Sequence, residues 1–333
     1  MLYPKSHFGI LADRTNSRVS IFDIDTLQVL QQIPLNADPI DTAITRDCSR
    51  AVVSTFVSQT MFQLGLCGRS ARVIGSANAG SYLEDVALTP DDRFALSVDG
   101  SASDQDIVSY SLRDNAVVSA LPANAQAVAV SPKGNGLVLT AVNRAGTVHR
   151  YTIDRFGMLT DTGEEITVAE EPININFSRD GNFAFVSSYF PGSVSVLSTV
   201  LPDQISLIST LSGTSAQSMA ITKDGRHLFA LGSDVVSIYA FDPVSGYLSF
   251  QRSFPHGLTI SSFFGVDQIA LDPSETRLFI SAEGEVAVFT TYGTRLGTVA
   301  GVSGPGGLAI CECAQRCPRR ISLLGLLILI ALI

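Results

Sequence analysis

Tryptophan is absent from the 333 residues, and histidine and methionine occur four times each. Without Trp there is no Trp-Asp dipeptide, the signature of one large class of repeat proteins. Four scattered His and four Met offer copper or haem little to bind, so no cofactor is expected. Charge is also scarce: 16% of residues are Asp, Glu, Lys or Arg, and the net charge is −9. A negative balance with no basic stripe excludes nucleic acid, whose binders neutralise phosphates. No segment before residue 320 holds a helical apolar period over three turns. Met1–His7 lacks the apolar run of a secretory signal, which leaves a cytoplasmic protein or one whose signal is not in this sequence.

What is present in quantity is a repeat. Copies read DTAITRDCSRAVVSTF, DVALTPDDRFALSV, AVAVSPKGNGLVLTAV, NINFSRDGNFAFVSSY, SMAITKDGRHLFALG and QIALDPSETRLFISA. One column runs Ala43, Ala87, Ala129, Asn176, Ala220, Ala270 and Ala309, at intervals of 39 to 50 residues. A second pairs an apolar residue with an aromatic or large aliphatic one three later: Val19/Phe22, Met61/Leu64, Ile107/Tyr110, Val148/Tyr151, Val194/Leu197, Val236/Tyr239 and Val286/Phe289. A fixed period of this length marks an array of supersecondary units. The columns are out of phase at the ends, so one unit is split between the termini.

Each unit reads as four strands, A to D, from β-branched and aromatic alternation bounded by turn residues. In the second copy these are Glu84–Thr89, Arg93–Val98, Asp106–Leu112 and Ala116–Leu121, with a turn at Pro90–Asp92. Even spacing of short strands calls for an all-β fold whose edges are protected by radial closure. The expectation is a seven-bladed β-propeller of four-stranded blades over residues 8–310. Its closing blade takes residues 8–34 and 305–310, and a Cys-containing spacer and tail follow at 311–333.

Units of the form apolar-Ala-apolar-Ser/Thr-Pro-Asp-Gly, followed by Val-x-Val-x-Asp, resemble YVTN-type and lactonase-like seven-bladed propellers. The matching residues are Ala87–Asp92, Ala129–Gly134, Phe177–Gly181, Ala220–Gly225 and Ala270–Glu275, with strand C endings at Phe22–Asp25, Tyr151–Asp154 and Tyr239–Asp242. The resemblance implies the fold and leaves the activity open, because one scaffold hosts unrelated functions. Lactonase-like enzymes of this fold carry a Gly-Pro-Arg-His segment. Here Gly304-Pro305-Gly306-Gly307 keeps only its turn-like part.

In a propeller the ligand is expected at a mouth of the central channel. The residues two before the Ala column are Asp41, Asp85, Ala127, Asn174, Ser218, Gln268 and Gly307, with Glu84, Gln126, Gln217 and Asp267 beside them. Asp41, Glu84, Asp85, Asn174, Asp267 and Gln268 are therefore the candidate ligand-binding residues. They form either a site for a cation or polar ligand, since hard cations favour such oxygens, or a hydrated lining. His256, on an inter-blade loop, and Asp85 are the catalytic candidates, but no nucleophile–base pair can be assembled around them. His149 reads as a sheet-surface residue, His227 as the opening of a strand B.

Cys48 and Cys67 fall in two turns at the same end of one unit and form a candidate disulfide, against the reading of two unrelated thiols. Cys311, Cys313 and Cys317 lack the fourth ligand of a structural zinc site, so no metal is assigned to them. The run Ile321–Ile333 would span roughly 20 Å as a helix, short of the ~30 Å bilayer core. It reads as a short anchor, a processed sorting tail (the Ser303–Gly307 region supplying small residues) or an extension. Cell-surface or membrane association and a cytoplasmic location both stay open.

Two functions remain. The first is a non-catalytic propeller, a monomer that binds a protein or a small polar ligand through loops such as Gly100–Asp104, Asp161–Pro172 and Ser253–Ser262. The second is a lactonase- or isomerase-like enzyme acting on small sugar acids or lactones.

Overall fold

The computed structural model describes residues 7–67, 70–80, 82–100, 106–189, 192–201, 203–214, 216–260, 266–302 and 305–311. They form seven four-stranded antiparallel sheets, each running A-B-C-D outward from the centre. The A strands are Pro39–Ile44, Val86–Leu88, Ala127–Val130, Pro172–Phe177, Ser218–Ile221, Ile269–Leu271 and Leu308–Ile310. They open blades 1 to 7 in that order, and every member of the Ala column lies on one of them. In the second copy strands B to D fall within a residue of expectation, at Phe94–Val98, Asp106–Ser111 and Ala116–Pro122, while strand A is shorter.

The closing blade joins both ends of the chain. Leu308–Ile310 pairs with Phe8–Asp13 through Leu11↔Leu308, Ile10↔Ala309 and Gly9↔Ile310. Strands Arg18–Asp23 and Val29–Pro34 complete the sheet. The seam is only three residues long, but it is packed closely. A Cβ on Gly306 would lie 1.9 Å from the Ala12 carbonyl oxygen, and one on Gly307 would lie 1.5 Å from Asp41 Oδ1. Neither glycine has a positive φ. Their lack of a side chain is required by space, not by a turn, which corrects the turn-like reading for Gly306 and Gly307; Gly304 lies outside the described residues.

Strands B and C are buried along nearly their whole length, for example Phe183–Ser188 and Arg277–Ala282, whereas D strands such as Ser206–Ser212 are half exposed. The cause is blade-on-blade stacking, which covers both faces of the middle strands. Seven apolar clusters result, one for each pair of neighbouring blades. Phe185, Val194, Leu228 and Tyr239, for instance, fill the layer between blades 4 and 5. Each fully buried large side chain contributes about 1.5–3 kcal/mol, so the layers carry most of the stability.

The second sequence column marks a bulge in every blade. Pairing between strands C and D shifts at Phe22, Leu64, Tyr110, Tyr151, Leu197, Tyr239 and Phe289. The extra residue lies on strand D, and the local twist it adds fans the outer strand away from the axis. The A–B turns repeat with equal regularity. A Ser or Thr hydroxyl receives the N–H five residues on (Arg50 to Thr45, Phe94 to Thr89, Phe183 to Ser178, His227 to Thr222) and donates to the Asp two residues on. The fourth turn residue takes the left-handed conformation at Cys48, Asp92, Gly134, Gly181, Gly225 and Glu275. That is why Gly or Asp recurs there.

Two sequence expectations change at the edges. Cys48 is bonded to Cys311 rather than to Cys67, with Cα atoms 5.7 Å apart. Cys311 directly follows the closing strand, and its N–H donates to the Phe8 carbonyl, which carries it to the first A–B turn. Cys67 is itself disulfide-bonded. The expected Asp161–Pro172 loop is largely strand D of blade 3, Leu159–Thr167. Cys313, Cys317 and the run Ile321–Ile333 lie outside the described residues. Among the described residues no helix is long and apolar enough to cross a membrane.

Candidate functional site

Two cavities lie on the axis, because their walls come from blades on opposite sides of the ring. The larger, about 710 Å³, sits at the A–B-turn end. Five blades line it: Ile44, Arg46 and Cys48, then Pro132, Phe177 and Arg179, Ile221 and Lys223, and Ile310. The smaller, about 280 Å³, runs along the A strands of blades 2 to 4 and reaches Asp85, Asp267 and Arg179.

At the A–B end the residue after each Ala-column member is apolar and half-buried: Ile44, Leu88, Val130, Phe177, Ile221, Leu271 and Ile310. Beyond this collar, the position following the turn Ser, Thr or Asp alternates in kind. It is Arg46, Arg179 and Lys223 in blades 1, 4 and 5, but Pro90, Pro132 and Pro273 in blades 2, 3 and 6. The three cations all border the large cavity. Lys223 Nζ donates to the Pro273 carbonyl at 2.9 Å, and Arg46 N–H donates to Asp92 Oδ2 at 3.0 Å. The mouth therefore has an apolar floor and a basic rim. Sequence reasoning passed over it, although the Pro/basic alternation within one turn position was there to be read.

The opposite end holds the acidic column. Asp41, Asp85 and Asp267 each offer a carboxylate oxygen, and the three oxygens lie within 4.8 Å of one another. Asp41 and Asp85 are 1% and 4% exposed. Backbone geometry fixes them: Val86 N–H donates to Asp41 Oδ2 at 3.1 Å, and Val128 N–H to Asp85 Oδ2 at 2.8 Å. Each aspartate thus clasps the A strand of the next blade. Ser218 does the same for Gln268 N–H at 3.0 Å. Asp267 is half-buried and accepts from Asn174 Nδ2 across the channel at 3.2 Å.

Burial dominates the electrostatics. It pushes Asp41 up to about 8, with the Asp267 charge adding to the rise. Asp85 stands well above the usual carboxylate range, first through burial and then through the charges of Asp41 and Asp267. Asp267, less enclosed and steadied by Asn174, rises to about 6, again through burial. With a proton on Asp85 the two nearest carboxyls hydrogen-bond to each other, which favours the neutral form of Asp85 and the charged form of Asp41.

The remaining candidates stand apart. Glu84 is pushed up to about 8 by burial and by Asp99, against a lowering pull from Arg14, but it does not join the three aspartates. Gln268 is fully buried, and neither end of its side-chain amide has a partner. His256 is a loop staple: its Nε2 donates to the Gly232 carbonyl at 3.1 Å, and its Nδ1 accepts from Leu258 N–H at 3.0 Å. Both ring nitrogens are thereby occupied, and burial lowers its proton affinity. That leaves the imidazole no free nitrogen for acid–base work.

The architecture defines the class: a velcro-closed, seven-bladed β-propeller with an axial channel, acidic at one end and basic at the other. The sequence profile described as lactonase, seven-bladed β-propeller, matches residues 109–300. The chain belongs to that family. A protein of unknown function from Desulfotomaculum acetoxidans is 40% identical and superposes with a TM-score of 0.90, covering 92% of this chain and 100% of that one. The periplasmic gluconolactonase of Pseudomonas aeruginosa is similar at 16% identity and a TM-score of 0.76, over 94% of this chain and 99% of that one. A Bacteroides uniformis protein proposed to be a 6-phosphogluconolactonase is similar at 15% identity and a TM-score of 0.72, over 92% and 99%. The last two share the fold alone. No curated protein sequence matches the chain.

Proposed function

We propose that the protein is a non-catalytic propeller that binds a small organic anion in the cavity at its A–B-turn end. The observation that carries this reading is the placement of Arg46, Arg179 and Lys223 around a cavity of about 710 Å³ floored by Ile44, Phe177, Ile221 and Ile310. Binding pockets of this size combine apolar walls with a few polar groups that fix orientation. A carboxylate or phosphate facing the rim would gain charge-assisted hydrogen bonds, each contributing about 1.5–3 kcal/mol. The apolar collar would hold the rest of the ligand. The disulfides at Cys48–Cys311 and at Cys67 support an oxidising compartment as the working location, since such bonds are rare where thiols are kept reduced.

Titration calorimetry at low salt with gluconate, 6-phosphogluconate and octanoate tests the reading. Arg179→Ala is expected to weaken the best of the three by about tenfold or more, in line with one lost charge-assisted bond. If all three bind with equal weakness to wild type and to Arg179→Ala, the reading fails.

A second reading is lactone hydrolysis, favoured by one observation. The smaller channel cavity is lined by both Asp85, whose hold on a proton is strengthened first by burial and then by the charges of Asp41 and Asp267, and Arg179. A proton donor beside a cation is what an anionic lactone would need on ring opening. Proton release from 6-phosphogluconolactone, present in wild type and lost in Asp85→Asn, would favour the enzyme over the binding protein.

A further inference from the structure

The geometry points to a hard divalent cation, calcium by size, held by Asp41, Asp85 and Asp267 at the strand-A starts of blades 1, 2 and 6. The site is separate from the anion cavity and does not depend on it. Calcium takes oxygen ligands at about 2.3–2.6 Å. Oxygens around such an ion are therefore separated by at most about twice that distance, and the three oxygens of the cluster, all within 4.8 Å of one another, meet this limit. Zinc is disfavoured, because no His or Cys belongs to the cluster.

Two further observations support a ligand rather than a chance crowding of acids. First, Asp41 is 1% exposed and its Oδ2 is held by Val86 N–H, but its Oδ1 receives no N–H or hydroxyl, so that only a proton on Asp85 or a bound cation can satisfy it. A buried acceptor without a donor is destabilising, more so when charged, unless something supplies positive charge. Second, blade 7 lies between blades 6 and 1, and it carries Gly307 at the column position. A Cβ there would sit 1.5 Å from Asp41 Oδ1 and 2.6 Å from its Cγ. The backbone does not demand glycine at this point, so the space is kept open for the carboxylate that approaches Asp267.

Charge balance gives the same answer. Among the described residues no Lys, Arg or His forms an ion pair with any of the three aspartates. Three carboxylates this close cannot all ionise without compensation, so protons or a cation must supply it. Asn174, bonded to Asp267 and accepting from Asn176 Nδ2 at 2.7 Å, places an amide next to the cluster. Water would complete the six to eight oxygens calcium prefers.

The test uses the full chain freed of metal with a chelator and then titrated with CaCl2, read by calorimetry and by thermal unfolding. Binding at or below about 1 mM is expected, the range of extracellular calcium modules. Asp267→Asn, which keeps the Asn174 contact as an amide, is expected to weaken calcium at least tenfold while the unfolding midpoint without metal stays within a few degrees. Asp85→Asn, which retains an acceptor for Val128 N–H, is the second variant should the first misfold, and it is expected to do the same. Terbium luminescence reports the same site directly. The assignment is overturned if CaCl2 produces neither heat nor a shift in midpoint, or if both variants bind as tightly as wild type. Preference for MgCl2 over CaCl2 would overturn the choice of ion.

Discussion

Replacing Cys311 with Ser opens the one described covalent link between the two ends of the ring. The bond joins residues separated by 263 positions, and the loop-entropy relation gives about 5.6 kcal/mol for a loop of that length in a chain with no other crosslink, a ceiling here because the disulfide at Cys67 stays in place and keeps part of the restraint. The native seam already holds the ends together through three residue pairs and the glycine contacts, so the whole effect falls on the unfolded chain. A propeller of about 300 residues has an unfolding entropy near 630 cal/mol/K at its midpoint, which converts the ceiling into a fall of roughly 9 °C. With the Cys67 disulfide still restraining the unfolded chain, and because measured disulfides commonly deliver less than the entropy relation, a fall of about 2–5 °C is expected in scanning calorimetry. Cys48→Ser should reproduce it, and the double variant should add nothing, because both remove one bond. A midpoint within a degree of wild type would refute the reasoning, and would mean that the unfolded chain is not measurably restrained by the link.

Three other outcomes follow from the channel. In chelator-treated protein, Asp41, Asp85 and Asp267 have folded-state affinities raised above their unfolded values near 4, so their contribution is present at pH 4 and is lost as pH rises, through about 6 for Asp267 and about 8 for Asp41. Urea unfolding should therefore show falling stability from pH 5 to pH 8, flattened by Asp85→Asn, and a rise over that interval would contradict it. Gly307→Ala forces Asp41 aside and should cost about 1–3 kcal/mol while abolishing calcium binding. A variant with unchanged stability would show that the close approach has room to relax. His256→Ala removes two loop hydrogen bonds and should cost about 1–3 kcal/mol without affecting gluconate binding or lactone hydrolysis, which activity assays with the purified variant would check.

The fold could be read from residues because its determinants are local and repeated. The Ala column puts a small residue on six of the seven inner strands, the apolar-x-x-aromatic or aliphatic column marks each bulge, and Ser/Thr-x-Asp closes the A–B turns of blades 1, 2, 4 and 5. The splitting of one blade between the ends also followed from counting. The site was less legible, because its parts lie far apart in the chain. Asp41 and Asp85 were visible as members of one column, but Asp267 lies one position off that column. Its carboxylate nonetheless comes within 4.8 Å of the other two once the ring is closed. The Cys48–Cys311 bond was missed for a similar reason. Proximity within one unit favoured Cys67, whereas the ring returns residue 311 to the first turn. His256 was chosen for lying on an inter-blade loop, and nothing in the sequence revealed that Gly232 and Leu258 occupy both its nitrogens. The basic rim was overlooked because Arg and Lys in turns ordinarily face solvent.

The three-residue seam also has a consequence in time. During synthesis the inner edge of Phe8–Asp13 appears first, and its partner Leu308–Ile310 follows almost 300 residues later. At about 5–20 residues per second, the edge waits roughly 15–60 s. Throughout that interval an apolar strand of six buried positions has no neighbour on one side, the condition under which nascent chains pair with one another. The blade that finally locks the ring is thus the one at greatest risk while it is being made. Assistance in folding would be needed at that strand first, together with the blade 1 and blade 6 faces that the closing blade covers.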